Sequence, residues 1–377
     1  MRFLTAGESH GKALVAIIEG FPKGVKIEES FINTELNRRM QGYGRGKRMS
    51  IESDRVEIIS GLRNKVTLGS PIAMIVKNRD YSIFTQEKDK LPLISTPRPA
   101  HADLAGSLKY GDTDIRNILE RSSARETVMR VCVGAVCKQF LLNFNIHVAS
   151  FVVGVGKVYS KLKPRSIKDI LKKTEKSKLS FFDHTKELLA VKEIDKARKE
   201  GDTLGGIVEA WAEGVPAGLG SFMHLDRRLD AQIAGYMMSI PSVKTVEIGS
   251  GFEYVQSRGS FSHDKIYPKK FSIGFIRKTN NCGGIEGGVS NGEPIVVRVG
   301  AKPIPTLGVP LDSVDLATNR KKKAPVIRSD TCVVVALKVI VENMLAIVLT
   351  ENFLEKFGSD SLQEIKRNYT SYLKSIS

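Results

Sequence analysis

One run of apolar and small residues limits the possible folds of this chain more than any other stretch. Ser123-Ala124-Arg125-Glu126 has the spacing of a capping box, in which a serine hydroxyl and an acidic side chain three places on satisfy free amides at a helix start. The spacing predicts a helix from about Ala124. Val128, Val131, Cys132, Ala135, Val136, Gln139 and Phe140 then continue a helical period with small residues, which describes a buried helix. A second long helix is expected from about Ala336 to Leu349.

Buried helices need layers around them, and the rest of the chain supplies candidates. Phe3-Leu4-Thr5 and Leu14–Ile18 read as strands flanking a turn over Gly7–Gly11. A helix starting at Ser30 places Ile32, Leu36 and Met40 on one face and ends at Gly42. Residues 55–77 read as two strands about a turn, and 80–118 as a long loop-rich segment of the kind that tends to carry function. Val148–Val155, Glu209-Ala210-Trp211 and Ile295–Val299 are strand-like, Asp226–Met238 is helical, and Ile240-Pro241 breaks it. The lysine-rich stretch 157–200 reads as a helical excursion on the surface. Strand pairs alternate with long helices in two similar halves. The expected architecture is one α+β layered domain over 1–377 with internal pseudo-symmetry.

The formal charge of +17 suits nucleic acid, an anionic membrane surface or acidic small molecules, and does not choose among them. None of the four cysteines forms a C-x-x-C pair, so neither a disulfide scaffold nor a structural zinc site is indicated. The N-terminus lacks the basic-then-apolar pattern of a signal segment, and no stretch reaches the ~20 apolar residues of a membrane span. A soluble cytoplasmic protein is the expectation.

Six segments have the composition of a ligand site. His10, in the Gly7-Glu8-Ser9-His10-Gly11 turn, and His101, in Arg98-Pro99-Ala100-His101-Ala102-Asp103, suit proton transfer near neutral pH; ordinary loop histidines are the plain alternative, and no further ligands for a metal are identifiable. Glu120-Arg121-Ser122-Ser123-Ala124-Arg125 sets two serines and two arginines at an expected helix start, a place suited to anions. Arg38, Arg39, Arg45, Lys47 and Arg48 are a basic surface or a ligand cradle opened by glycines. Asn280–Ser290 is a glycine-rich segment able to lie against a planar ring, or a plain loop. Asp330, after Arg328-Ser329, is a buried base or a salt-bridge partner.

Taken in order, these segments resemble the chorismate synthase family. The resemblance rests on Gly7–Gly11, Glu120–Thr127 and Arg328-Ser329-Asp330, with Gly42–Gly46, Gly201–Gly206 and Val246–Gly249 between them, and covers nearly the whole chain. Ala100 departs from it, since the family usually has glycine before this histidine. The resemblance implies a β-α-β-α sandwich in a homotetramer. It also implies anti-1,4-elimination of phosphate from 5-enolpyruvylshikimate 3-phosphate to give chorismate, in the shikimate pathway. Reduced FMN is the implied cofactor, not consumed, with NADPH as reductant only.

Residue by residue, the same resemblance implies that His10 protonates the reduced flavin, His101 gives a proton toward the leaving phosphate, and Asp330 accepts one associated with flavin N5. Ser9, Arg39, Arg45, Arg48, Arg98, Arg125 and Arg328 are expected at the substrate. Arg121, Ser122, Ser123, Pro241, Ser242, Gly287 and Arg328 are expected at the flavin, as is the segment Lys302, Pro303, Ile304, Pro305 and Thr306. Two other readings compete. A nucleic-acid binder would expose Arg45–Arg48 and Arg320–Lys323 on one face, with few aromatics for stacking. A flavoprotein of another reaction, such as a reductase, would share the flavin contacts.

Overall fold

The structure, a computed structural model, describes residues 1–45, 54–79, 81, 93–269, 274–326 and 330–376. Two antiparallel sheets enclose a layer of helices. The first contains β1 (Arg2–Ala6), β2 (Ala13–Glu19), β3 (Val56–Ile58) and β4 (Ile72–Lys77), in spatial order β1-β2-β4-β3. The second contains β5 (His147–Val155), β6 (Val158–Tyr159), β7 (Gly206–Glu213), β8 (Val243–Ile248) and β9 (Ile295–Ala301), in order β8-β9-β7-β5-β6. Leu14, Ala16 and Ile18 of β2 alternate inward, as do Ile72, Met74 and Val76 of β4, while Leu4 and Ile17 face out. That alternation marks a sheet covered on one face only.

The pseudo-symmetry expected from sequence is visible in the connections. Helix α1 (Glu29–Met40) lies between the second and third strands of the first half, and α4 (Thr127–Leu141) follows the fourth. Ahead of α4 come α2 (Asp103–Tyr110) and α3 (Ile115–Ser122). In the second half, α7 (Leu229–Met238) and α8 (Val334–Phe357) take the places of α1 and α4. Setting β6 aside, both halves order their strands first-second-fourth-third. α4 packs on β2, α8 packs on β5 and β7, and α4 and α8 cross against each other. Gly134 makes this crossing possible, because a Cβ there would lie 2.6 Å from the Asn343 carbonyl oxygen.

Several expectations are corrected. The 80–118 segment holds α2 and α3, whose pairing depends on Gly106 sitting against Ile118; residues 82–92 fall outside the described residues. Four short strands occupy 55–77 instead of two, the hairpin Leu62–Arg63 with Val66–Thr67 being the addition. The 157–200 excursion is helical, as α5 (Ile167–Thr174) and α6 (His184–Glu200), but it is not merely a surface feature. Ile167, Ile170 and Phe182 pack with Phe151 and Val153 on the outer face of the second sheet. This cover explains why β5 is buried almost continuously, and it supplies the fourth layer of a β-α-β-α sandwich. A C-terminal helix, α9 (Leu362–Ile376), went unread because Ile365 is its single buried residue among those described.

The helical run Ile115–Phe144 has the length and mean hydropathy, 1.2, of a membrane span, yet 78% of that apolar window is buried within the protein. It is a core helix.

Candidate active site

The Gly7–Gly11 turn joins β1 to β2 and leans on the end of α3. Gly7 has φ 104°, and a Cβ there would run into the Ala13 carbonyl, so glycine is required. Glu120 grips the turn. Its carbonyl accepts from the Ser9 amide at 3.0 Å, and its carboxylate accepts from the His10 amide at 2.8 Å and from Nδ1 at 2.9 Å. Arg121 donates to the Thr5 and Gly7 carbonyls at 2.7 and 3.2 Å. With Glu120 on Nδ1, the exchangeable role falls to His10 Nε2.

The capping box forms by halves. The Ser123 hydroxyl accepts from the Arg125 amide at 3.3 Å, but the Glu126 carboxylate goes to Thr5 and Arg130. The Ser123 amide itself donates to Leu119 of α3 at 3.1 Å. Amides expected to be free for an anion are therefore in use, because α3 runs straight into this turn. Anion binding here falls to side chains. The Ser122 hydroxyl turns back to the Ile118 carbonyl at 2.8 Å.

Those side chains converge on a cavity of about 220 Å³. Arg39, Arg45 and Arg125 line it with Asp330 and Ser123, and Pro241, Ser242 and Ile304 close another side. Leu337 and Ile340 of α8 supply an apolar wall. Arg39 donates to Thr127 Oγ1 from Nε and Nη2 at 3.1 and 2.9 Å, and to the Ala124 carbonyl at 3.0 Å. Asp54 lies between two guanidinium groups, 2.6 Å from Arg125 and 3.8 Å from Arg39. Arg45 reaches Asp330 at 3.0 Å, a pairing set by the Thr331 amide donating to the Gly44 carbonyl at 2.9 Å. Burial pushes the Arg39 guanidinium down to about 10, with Arg45 and Arg125 adding to the effect and Asp54 opposing it. Three guanidinium groups thus face two carboxylates, and the excess favours an anion.

The two histidines stand beside this cavity without lining it. Asn78 connects the first: Oδ1 accepts from Arg125 Nε at 3.0 Å, while Nδ2 donates to the Gly11 carbonyl at 2.8 Å. His101 is held by Asp103, which accepts from Nδ1 at 2.6 Å and from Arg98 Nε at 2.8 Å. Burial works against the Asp103 carboxylate, but hydrogen bonds from His101 and Arg98 outweigh it and hold its pKa well below the usual range. Arg98 also donates to Thr306 at 3.2 Å. With its donors so committed, Arg98 positions His101 more than it faces open space. Lys302 donates to the Ala100 carbonyl, and its amide to the Ser242 carbonyl at 2.9 Å. Burial, with Lys244 nearby, lowers the Lys302 ammonium. Thr203 fixes Ile304 by donating to its carbonyl at 2.7 Å.

Ala100 has φ 62° and Ser242 φ 73°, both left-handed. Gly287 lies elsewhere. Its hairpin is bonded to the start of α7, where the Leu229 amide donates to the Gly288 carbonyl at 2.9 Å, whereas Pro241 follows the end of that helix. The glycine-rich segment around it is firmly built: Gly283 packs against Gly249, and Asp264 accepts from the Asn281 and Cys282 amides at 2.8 and 2.9 Å. Arg48 and Arg328 lie outside the described residues. Asp54, Asn78, Glu120 and Asp103 are the site residues that sequence reasoning did not assign. Only Asp103 left a signal, its Arg-x-x-His-x-Asp spacing.

A family model described as chorismate synthase matches residues 1–354. The chain belongs to the chorismate synthase family. A chorismate synthase of Caldanaerobacter subterraneus subsp. tengcongensis is 52% identical over 99% of this chain and 98% of its own length. One from Geobacter metallireducens is 49% identical over the same shares. A crystal structure of chorismate synthase superposes with TM-score 0.82 at 42% identity, covering 100% of this chain and 98% of its own. As a chorismate synthase family member the chain is a lyase of the shikimate pathway, from a family that uses a flavin.

Proposed function

We propose that this cavity carries out the anti-1,4-elimination of phosphate from 5-enolpyruvylshikimate 3-phosphate, giving chorismate, with reduced FMN as the flavin and no net redox change. One observation carries the assignment: Arg39, Arg45 and Arg125 converge with Asp330 on a cavity whose other wall is apolar. The substrate brings two carboxylates and a phosphate, which guanidinium forks match. The donor set also fits FMN. Leu337, Ile340 and Ile304 offer a surface for a flat ring, and Ser123, Ser242 and Lys302 suit a phosphate. When bound, reduced flavin supplies electron density to the breaking carbon–oxygen bond and a destination for the ring hydrogen.

The protein's part is orientation and proton control. Asp103 holds His101 Nδ1, so proton transfer to the leaving phosphate runs through Nε2, which Arg98 Nη2 approaches to 3.3 Å. Glu120 does the same for His10, which makes Nε2 the nitrogen through which His10 exchanges its proton. Asp330, steered by Arg45, is the proton acceptor. NADPH serves only as reductant. Phe222, Met223, Leu225 and Phe261 are 70% or more exposed, which supports burial in a homotetramer. Phosphate release under anaerobic conditions with dithionite-reduced FMN tests the reaction, and absence of release overturns it. The same assay run in air with NADPH and FMN tells whether the chain reduces its own flavin.

A further inference from the structure

A second cavity, of about 900 Å³, lies on the other side of α1 from the candidate active site. Consecutive residues divide the two: Arg38 lines this cavity and Arg39 the first. Its lining is basic. Lys168 and Lys172 project from α5, Lys178 from the following loop and Lys338 from α8, against Glu175 and Glu213. Glu213 is partly committed, accepting from the Ile167 amide at 2.8 Å. Lys168 and Lys172 stand four apart on one helix face, where like charges repel. Neither has an ion pair among the described residues.

At its base is a buried charge cluster. Arg38 makes two 2.9 Å bonds to Glu342, whose carboxylate also takes Lys138 and the Ser150 hydroxyl. Glu35 accepts from Lys138 at 2.7 Å and from Asn343 at 2.9 Å. Arg38 and Lys138 therefore occupy both carboxylates. Lys338, only 7% exposed, is left with no hydrogen bond or ion pair from its ammonium among the described residues. Glu342 and Glu35 act on it only at longer range, and a buried cation without a direct counter-ion is costly.

We propose that this second cavity is a binding site for a compact, multiply charged anion of the phosphate-ester or polycarboxylate class, with Lys338 as its buried anchor and Lys168 and Lys172 at its rim. Among the described residues no Phe, Tyr or Trp lines the cavity, and its one ring is the imidazole of His147, which adds to the basic lining. Burial, then the neighbouring Arg38, pushes the Lys338 ammonium down to about 8, and a bound anion relieves that. The site is separate from the elimination chemistry and stands or falls independently of it.

Pyrophosphate is the probe, titrated calorimetrically into the full-length protein at about 0.15 M salt, where exposed charges are screened. The Arg45→Ala protein removes a main anion contact of the first cavity. Binding is expected to survive there and to weaken about tenfold or more on adding Lys338→Met, the loss of one charge-assisted hydrogen bond. Lys168→Ala with Lys172→Ala, confined to the rim and safe for folding, is expected to weaken it about threefold or more. Equal affinity in the rim variant and its parent overturns the proposal. So does the absence of binding in Arg45→Ala protein, or a signal that vanishes at this salt concentration.

Discussion

Asp103 is wholly enclosed, and a carboxylate there stays ionised only through its partners. Asp103→Asn keeps the shape and removes the charge, leaving Arg98 buried without its counter-ion. Stability at pH 7 should fall by about 3 kcal/mol, and phosphate release by at least about tenfold as His101 loses its orientation. The pH dependence has a definite sign. The folded-state pKa of Asp103 is lowered, so its contribution is complete above the unfolded carboxyl value of about 3.9 and is lost as pH falls below it. Urea titrations should therefore show the gap between wild type and Asp103→Asn narrowing on acidification from pH 7 toward about 3. A constant gap would remove the ion pair from the account. Ala100, one residue before His101, carries its strain in the backbone. Replacing it by glycine should stabilise the protein by up to about 1 kcal/mol in the same titrations. No gain would mean the loop tolerates φ 62° without strain.

Helices α4 and α8 set how closely the two halves approach. Gly134→Ala puts a methyl group into the Asn343 backbone, and either the helices part or the core strains. A loss of about 2–3 kcal/mol is expected by chemical denaturation, and an unchanged midpoint would show that the crossing has slack. These helices were legible in the sequence because their apolar residues surround the axis. The start near Ala124 was legible too, through Ser123, but α3 ahead of it was not, since it presents Glu120 and Arg121 to a distant turn and so reads as polar. In α2, Leu104 and Leu108 are exposed and Gly106 meets Ile118, so the segment has no apolar face for a sequence pattern to show. The 157–200 stretch misled differently. Its lysines outnumber the Ile167, Ile170 and Phe182 side chains that fasten it to the sheet.

The whole chain is needed to assemble one site, with residues near 39, 78, 101, 125, 242, 304 and 330 brought together by tertiary contacts. Sequence showed which residue types belong there but not what connects them. Asp54 and Asn78 meet Arg125 and Glu120 meets His10, partners 47 to 110 positions away, and no local spacing encodes that. Gly287 carries this point beyond the single chain. It is expected at the flavin, yet its hairpin joins the start of α7, about 15 Å of helix from Pro241. A Cβ on Gly287 would lie 3.9 Å from that of Phe222, within the exposed apolar surface that includes Met223 and Leu225. This chain's own hairpin does not line the cavity, so a flavin contact from Gly287 requires a neighbouring copy docked on that surface. Sedimentation should then give four times the 41.5 kDa chain mass. Phe222→Asp with Leu225→Asp should yield smaller species whose affinity for reduced FMN is about tenfold weaker. If those species keep full flavin affinity, the flavin site belongs to one chain alone and Gly287 takes no part in it.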